Sequence, residues 1–169
     1  MFVSIAVNRL ARWAFLLIFS SMAFLANAKK IETEILIHAT PEHVWSILTD
    51  FSYYPAWNPF IKRVAGAINV GNKIEVTAGD MKFKPRVLTF NQNHEFSWKG
   101  KLLWGGLFDG RHTFELIDNG DGTTTFRQYE NFTGILVPFF KKRLNTETRI
   151  GFENMNKKLK ELAEQAQVR

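Results

Sequence analysis

The segment TFRQYENF (125–132) places a carboxylate and an amide where a strand should be apolar. Read with period two, Phe126, Gln128, Glu130 and Phe132 share one face, and Thr125, Arg127, Tyr129 and Asn131 share the other. A buried carboxylate without a partner is costly, so Glu130 and Gln128 need a reason to sit between two phenylalanines. The preceding segment has the same character: Phe108, Gly110, His112, Phe114 and Leu116 fall on one side. DNGDG (118–122) between the two is a strong hairpin signal, which makes the strands neighbours and gathers His112, Gln128 and Glu130. A histidine beside a carboxylate is a candidate acid–base pair, given a reacting atom within hydrogen-bond reach. It is equally a polar end for an apolar ligand, because pockets combine hydrophobes with a few placed polar groups. A third use is a self-satisfied network that only holds the strands.

Other chemistry has little support. His38, His43, His94 and His112 are scattered without metal-ligand spacing, and there is no cysteine, so no metal and no cofactor are expected. There is no phosphate-binding glycine loop and no G-x-S-x-G elbow. In KFKPR (82–86) the cations Lys82, Lys84 and Arg86 alternate on one face, which reads as a solvated strand rather than an RNA platform. The net charge of +6 is mild for 169 residues, and Arg9 and Arg12 of it lie in the N-terminal segment. It suits an anionic membrane surface and falls short of a nucleic-acid signature, so no nucleic-acid partner is expected.

The elements that must position the polar trio follow from the pattern. Residues 1–28 read as a signal peptide: Arg9 and Arg12, an uncharged run from Trp13, then ANA (26–28). That run, Trp13–Ala28, is shorter than the ~20 residues that span a bilayer, although an uncleaved membrane anchor is the alternative. The expectation is export, to a periplasm or outside the cell, with residues 29–169 as one domain that folds without disulfides. KKIETEILI alternates as a strand, with Ile31, Thr33, Ile35 and Ile37 on one side. Thr40 and Pro41 open a short helix, and Pro55 and Pro59 break the chain after it. Strand segments then recur between turns: KRVAGAINV, KIEVTA, KFKPRVLTF, HEFSWKGKLL, FDGRHTFELI and TTTFRQYENF. From Pro138 to Gln167, Phe140, Leu144, Thr148, Phe152, Met155, Leu159, Leu162 and Ala166 recur at three or four, which predicts one long amphipathic helix. The class is therefore α+β, a curved antiparallel sheet wrapped around a long C-terminal helix.

This order, with IHATPEHVWSILTDFSYYPAWNPFI (37–61), FSWKG (96–100), GLFDGRHTFEL (106–116), TTFRQYENFTG (124–134) and FENMNKKLKELAE (152–164), resembles the SRPBCC or START-like superfamily. It looks most like the bacterial polyketide cyclase/dehydrase and lipid-transport-like members. The resemblance implies a helix-grip fold of about seven strands, with two short helices after the first. It also implies a deep apolar cavity between sheet and helix for lipids, polyketides or other hydrophobes. Lining it one would expect His112, Gln128, Glu130, Trp98, Phe83, Phe126, Phe114, Phe108, Thr148 and Phe152, with Trp57, Ile74, Val76 and Val87 as further candidates. For the apolar positions, plain core packing explains the pattern as well.

Two connections are apolar where loops are usually polar: LLWGGLF (102–108) and GILVPFF (134–140), the latter followed by KKR. Trp104, Leu107, Leu136 and Phe139 are thus candidates for a lid or a transient contact with an anionic membrane, or simply strand ends packed on the helix. The expected function is binding or carriage of a hydrophobic small molecule or lipid by a monomer. The alternatives are a cyclase or aromatase using His112 and Glu130, and a membrane-peripheral interaction module.

Overall fold

A computed structural model describes residues 28–102 and 104–165. The expected leader therefore falls outside the described residues except for Ala28, as do Leu103 and Ala166 of the segments named above.

Among the described residues, eight strands form two antiparallel ladders. The larger has the order β1-β8-β7-β6-β5, built from β1 (Ala28–Ile37), β5 (Arg86–Asn91), β6 (Glu95–Leu102), β7 (Phe108–Asp118) and β8 (Thr124–Thr133). The smaller is β2 (Ile61–Ala65), β3 (Glu75–Ala78) and β4 (Met81–Phe83). KFKPRVLTF is thus two strands rather than the one expected. Pro85 has no N–H to give a ladder, and the chain turns there from β4 into β5. The two ladders stay joined by backbone bonds from Ile74 N to Pro85 O and from Val87 N to Asn72 O, each 2.9 Å. Register shifts between Val87 and Thr89 and between Ile61 and Arg63 bend the strands, and such bulges supply the curvature.

Between β1 and β2 run α1 (Pro41–Leu48) and the single turn α2 (Tyr54–Trp57). Thr40 is extended at the N-cap of α1, with Pro41 in the first turn, but its hydroxyl makes no cap bond. Val44, Trp45 and Leu48 face the core as the spacing predicts. The Tyr54 hydroxyl donates to the Leu48 carbonyl, and burial pushes its ionisation well above the ordinary phenol range.

The stretch from Val137 to Gln165 is helical but not uniform. It comprises α3 (Val137–Arg143), a π-helical segment (Leu144–Thr148) and α4 (Arg149–Gln165). Phe140, Leu144, Thr148 and Phe152 follow one another at steps of four. In an α-helix of 3.6 residues per turn, each such step drifts about 40° around the axis. A wider turn takes up that excess, so Leu144 and Phe152 are both buried. The Thr146 hydroxyl donates to the Lys142 carbonyl (3.0 Å) within the widened turn.

α4 lies along β1, the edge of the larger ladder. Asn156 Nδ2 donates to Thr33 Oγ1 (3.0 Å), Arg149 to the Glu32 carbonyl (3.1 Å), Lys160 to the Leu36 carbonyl (2.6 Å), and the His38 N–H to Glu164 (2.8 Å). These contacts occupy polar groups along a strand that would otherwise present an open edge. The main core joins Phe96, Phe114, Leu116 and Phe126 of the sheet to Val44 and Leu48 of α1 and Met155, Leu159 and Ala163 of α4. A second cluster, Ile31, Phe132, Val137, Leu144 and Phe152, lies under α3 and the π segment.

Candidate functional site

Alternation on β7 and β8 decides which side chains face the helix. On β8, Thr124, Phe126, Gln128 and Phe132 are buried and Glu130 is half-buried. The other face is the solvent side, where Arg127 meets Glu32, Glu34 and Glu115. The hairpin sets His112 directly opposite Glu130 and Phe114 opposite Gln128. On the next strand Trp98 stands opposite His112, and Gly100 opposite Gly110. One row across the inner face is thus Trp98, His112, Glu130 and Ile31.

Within that row the trio comes together. His112 Nδ1 lies 3.4 Å from Glu130 Oε2, and His112 Nε2 lies 3.4 Å from Gln128 Nε2. One neutral tautomer satisfies both: Nδ1–H donates to Glu130, and Nε2 accepts from the Gln128 amide. The same amide reaches Met155 Sδ at 3.6 Å, while Gln128 Oε1 is buried without a partner among the described residues. Both 3.4 Å contacts are long for a hydrogen bond, so the trio is aligned rather than clamped. The imidazole sits in an aromatic box. Trp98 stacks on it (4.6 Å between centroids, 12° between planes), and Phe114 and Phe152 meet it edge-on at 4.5 and 5.1 Å.

Access to this row is one-sided. His112 is 3% exposed and Gln128 fully buried, whereas the Glu130 side chain is 19% exposed. Glu130 is therefore the group through which the trio meets anything from outside. It has room because its neighbour is Gly110: a Cβ there would stand 2.4 Å from Glu130 Oε1 and 3.6 Å from the Phe132 ring. Gly100, opposite Gly110, would place a Cβ 3.4 Å from Phe83. Two adjacent strands thus lack side chains on the inner face at one end of the sheet. Phenylalanines surround that end: Phe108 touches Phe132 and Phe140 (5.4 and 5.2 Å), and Phe60 touches Phe152 (5.5 Å).

The remaining expected lining residues divide by position. Phe114 and Phe126 are wholly buried and packed on each other, 5.9 Å apart, in the closed half of the inner face. Trp98 and Phe152 are buried around His112. Phe108, Phe83 and Thr148 are half-buried; Phe108 packs on Phe132 and Phe140, and Phe83 lies against Gly100. Phe83 also lines a separate cleft of about 260 Å³ on the smaller ladder, with Arg63, Glu75, Val76, Thr77, Lys82 and Lys84. Trp57, Ile74, Val76 and Val87 are core residues. Trp104 and Phe139 project into solvent, while Leu107 and Leu136 are half-buried beneath them. The sequence places Gly110 and Met155 on the inward faces of their elements but does not mark the Gly100–Gly110 pair, Phe60 or Met155 as part of the site. The glycine pair was within reach, since aligning FSWKG with FDGRH through the shared hairpin puts the two opposite each other. Among the described residues, no cluster of three or more His, Cys, Asp or Glu could hold a metal ion.

This arrangement, a helix laid across a curved antiparallel sheet with an aromatic-lined polar row between them, is that of a helix-grip protein. Residues 28–166 match the family model described as polyketide cyclase / dehydrase and lipid transport, and the chain belongs to that family. No curated protein matches the chain in sequence. Solved structures share its fold at low identity. A norcoclaurine synthase point mutant from Thalictrum flavum, in complex with a transition-state analogue, superposes with a TM-score of 0.66 at 13% identity, covering 84% of this chain and 98% of that one. A START superfamily protein from Mycobacterium smegmatis gives 0.61 at 22%, covering 81% and 98%. The di-domain ARO/CYC protein StfQ of the steffimycin biosynthetic pathway gives 0.65 at 12%, covering 84% of this chain and 53% of StfQ.

Proposed function

We propose that the chain is an exported binding or carrier protein for a hydrophobic small molecule or lipid that carries one polar group. The molecule enters at the Gly100–Gly110 end of the inner face, its apolar body lies among Phe60, Phe108 and Phe140, and its polar group meets Glu130. The observation that carries this reading is the partly exposed Glu130 carboxylate beside a glycine that leaves it space, with Phe132 next to that glycine and Phe108 and Phe140 packed in turn. Membership of a family described by lipid transport supports it.

A second reading is a cyclase-type enzyme. The observation in its favour is His112 Nδ1 facing Glu130 Oε2, the pairing that proton transfer would use. Here Glu130, as the exposed member, would exchange the proton with substrate, and His112 and Gln128 would relay or tune it.

Native mass spectrometry of the protein from its own host, followed by titration with the molecule released, separates these. In the carrier reading, Glu130→Gln lowers affinity by about tenfold to a hundredfold, the scale of a lost charged hydrogen bond, and leaves the melting transition nearly unchanged. In the enzyme reading, the released molecule is converted on incubation, and His112→Ala abolishes turnover while binding persists. Equal affinity of wild type and Glu130→Gln, with altered stability, would make Glu130 scaffold and refute both.

A further inference from the structure

The two apolar connections are one surface. The Ile135 N–H donates to the Gly106 carbonyl (3.2 Å) and the Leu136 N–H to the Leu107 carbonyl (3.0 Å), so the β6–β7 loop and the segment entering α3 are bonded side by side. Gly134 allows this approach: a Cβ on it would stand 2.4 Å from the Leu107 carbonyl oxygen, and its φ of +129° is one that side-chain-bearing residues rarely adopt. The outward residues of this unit are Trp104 (73% exposed), Phe139 (82%), Leu102 and Ile135. Isolated exposed hydrophobes are ordinary, but four on two joined loops are a patch.

The charges around the patch have one sign available. Lys101, Lys141 and Lys142 are exposed and make no ion pair among the described residues. The nearby acids are engaged: Asp109 pairs with Lys99 and accepts the Gly106 N–H, and Glu147 pairs with Arg143. Large exposed apolar side chains beside lysines free of ion pairs match an anionic bilayer, with acyl chains for the one and headgroup phosphates for the other. The patch also lies where β7 begins and β8 ends, the end of the inner face that Glu130 opens onto.

We propose that this face docks on an anionic phospholipid surface. Trp104 and Phe139 enter the acyl boundary, and Lys101, Lys141 and Lys142 meet the headgroup phosphates. Docking itself stands without the carrier reading; that it serves ligand exchange rests on it.

The test uses vesicles of phosphatidylcholine with and without phosphatidylglycerol, brominated on the acyl chains. Trp45, Trp57 and Trp98 are buried, and the quenching lost on changing Trp104→Phe isolates Trp104 from these and from Trp13. Expected is Trp104 quenching on phosphatidylglycerol vesicles that falls with added salt, and weaker binding in Lys141→Gln/Lys142→Gln by about fivefold per charge removed. Phe139→Ser should weaken binding while leaving the melting transition in place, because that ring covers nothing. Binding without a Trp104-specific quench would overturn the proposal, since charge alone would then be acting. So would equal binding to neutral and anionic vesicles, or a concentration-dependent dimer abolished by Trp104→Ser, which would make the patch a contact between copies. Solution titration of the co-purified hydrophobe, run without vesicles, reports on the carrier reading separately.

Discussion

Gly110→Ala probes the space on which the functional reading depends. The new Cβ would stand 2.4 Å from Glu130 Oε1, against an ordinary contact near 3.5 Å, so the carboxylate must swing away by about 1 Å. The obstacle is the far end of a flexible, partly exposed side chain, and it can move. Replacing glycine within a strand gains roughly 0.5–1 kcal/mol from the smaller entropy lost on folding. Moving the carboxylate forfeits its contact with His112, which at 3.4 Å is worth less than the ~1.5–3 kcal/mol of a good charged hydrogen bond. The two nearly offset, so unfolding stability should stay within about 1 kcal/mol of wild type, a shift of a few degrees in Tm at most. Ligand affinity behaves differently. The methyl group takes the place of the carboxylate, and the displaced carboxylate loses its aim, which should cost about tenfold to a hundredfold in Kd. Urea unfolding and titration with the co-purified hydrophobe read the two quantities on the same preparation. A loss of 3 kcal/mol or more would show that Glu130 cannot move and that the row is scaffold. Unchanged affinity would show that nothing binds against Gly110.

Other expectations follow from the same geometry. Phe152→Ala removes a wholly buried ring that closes over His112, and should destabilise by about 3–5 kcal/mol in urea unfolding; a cost under 1 kcal/mol would contradict the packing described. Glu164 is pushed up by burial, but the His38 N–H and Lys160 more than offset this and hold its carboxyl below the usual range. Its contribution is therefore present above the ordinary glutamate pKa and is lost as pH falls through the lower folded value. Glu164→Gln should flatten that acidic limb of the stability curve and leave the alkaline limb alone, with an identical acidic limb counting against the assignment. N-terminal sequencing of exported protein should begin at Lys29, and recovery of Met1 in a membrane fraction would support the anchor instead.

How far the sequence carries the site can be followed residue by residue. The period-two alternation and the DNGDG turn are local signals, and together they set His112 opposite Glu130 in the register observed. Pro85 was visible, yet whether a proline ends a strand or sits at its edge depends on which backbone group lies opposite, a non-local matter. The recurrence at three or four from Phe140 onward predicts one long amphipathic helix, within which Phe140 to Phe152 run at a step of four. Its excess over 3.6 is a signal for a wider turn, but burial on both sides of that turn, at Leu144 and Phe152, selects the π form. The implied deep cavity depended on volumes that no periodic pattern encodes. Phe114, Phe126 and Met155 pack closed, and the places that Gly100 and Gly110 leave on the inner face are taken by Phe83 and by the Glu130 carboxylate. Gly134 is similar: its identity is in the sequence, whereas its role comes from the Leu107 carbonyl across from it.

The widened turn between α3 and α4 divides one helical rod into two units of unequal tenacity. α4 is riveted to β1 by Asn156, Arg149 and Lys160 and buries Phe152, Met155, Leu159 and Ala163. α3 buries only Val137. Amide hydrogen exchange would therefore step down at Leu144 rather than fade towards the end of the rod, because the two parts open with different free energies. The rings of Phe108 and Phe132, on which α3 packs, are then uncovered by the lifting of one short segment, on a clock separate from the unfolding of the domain.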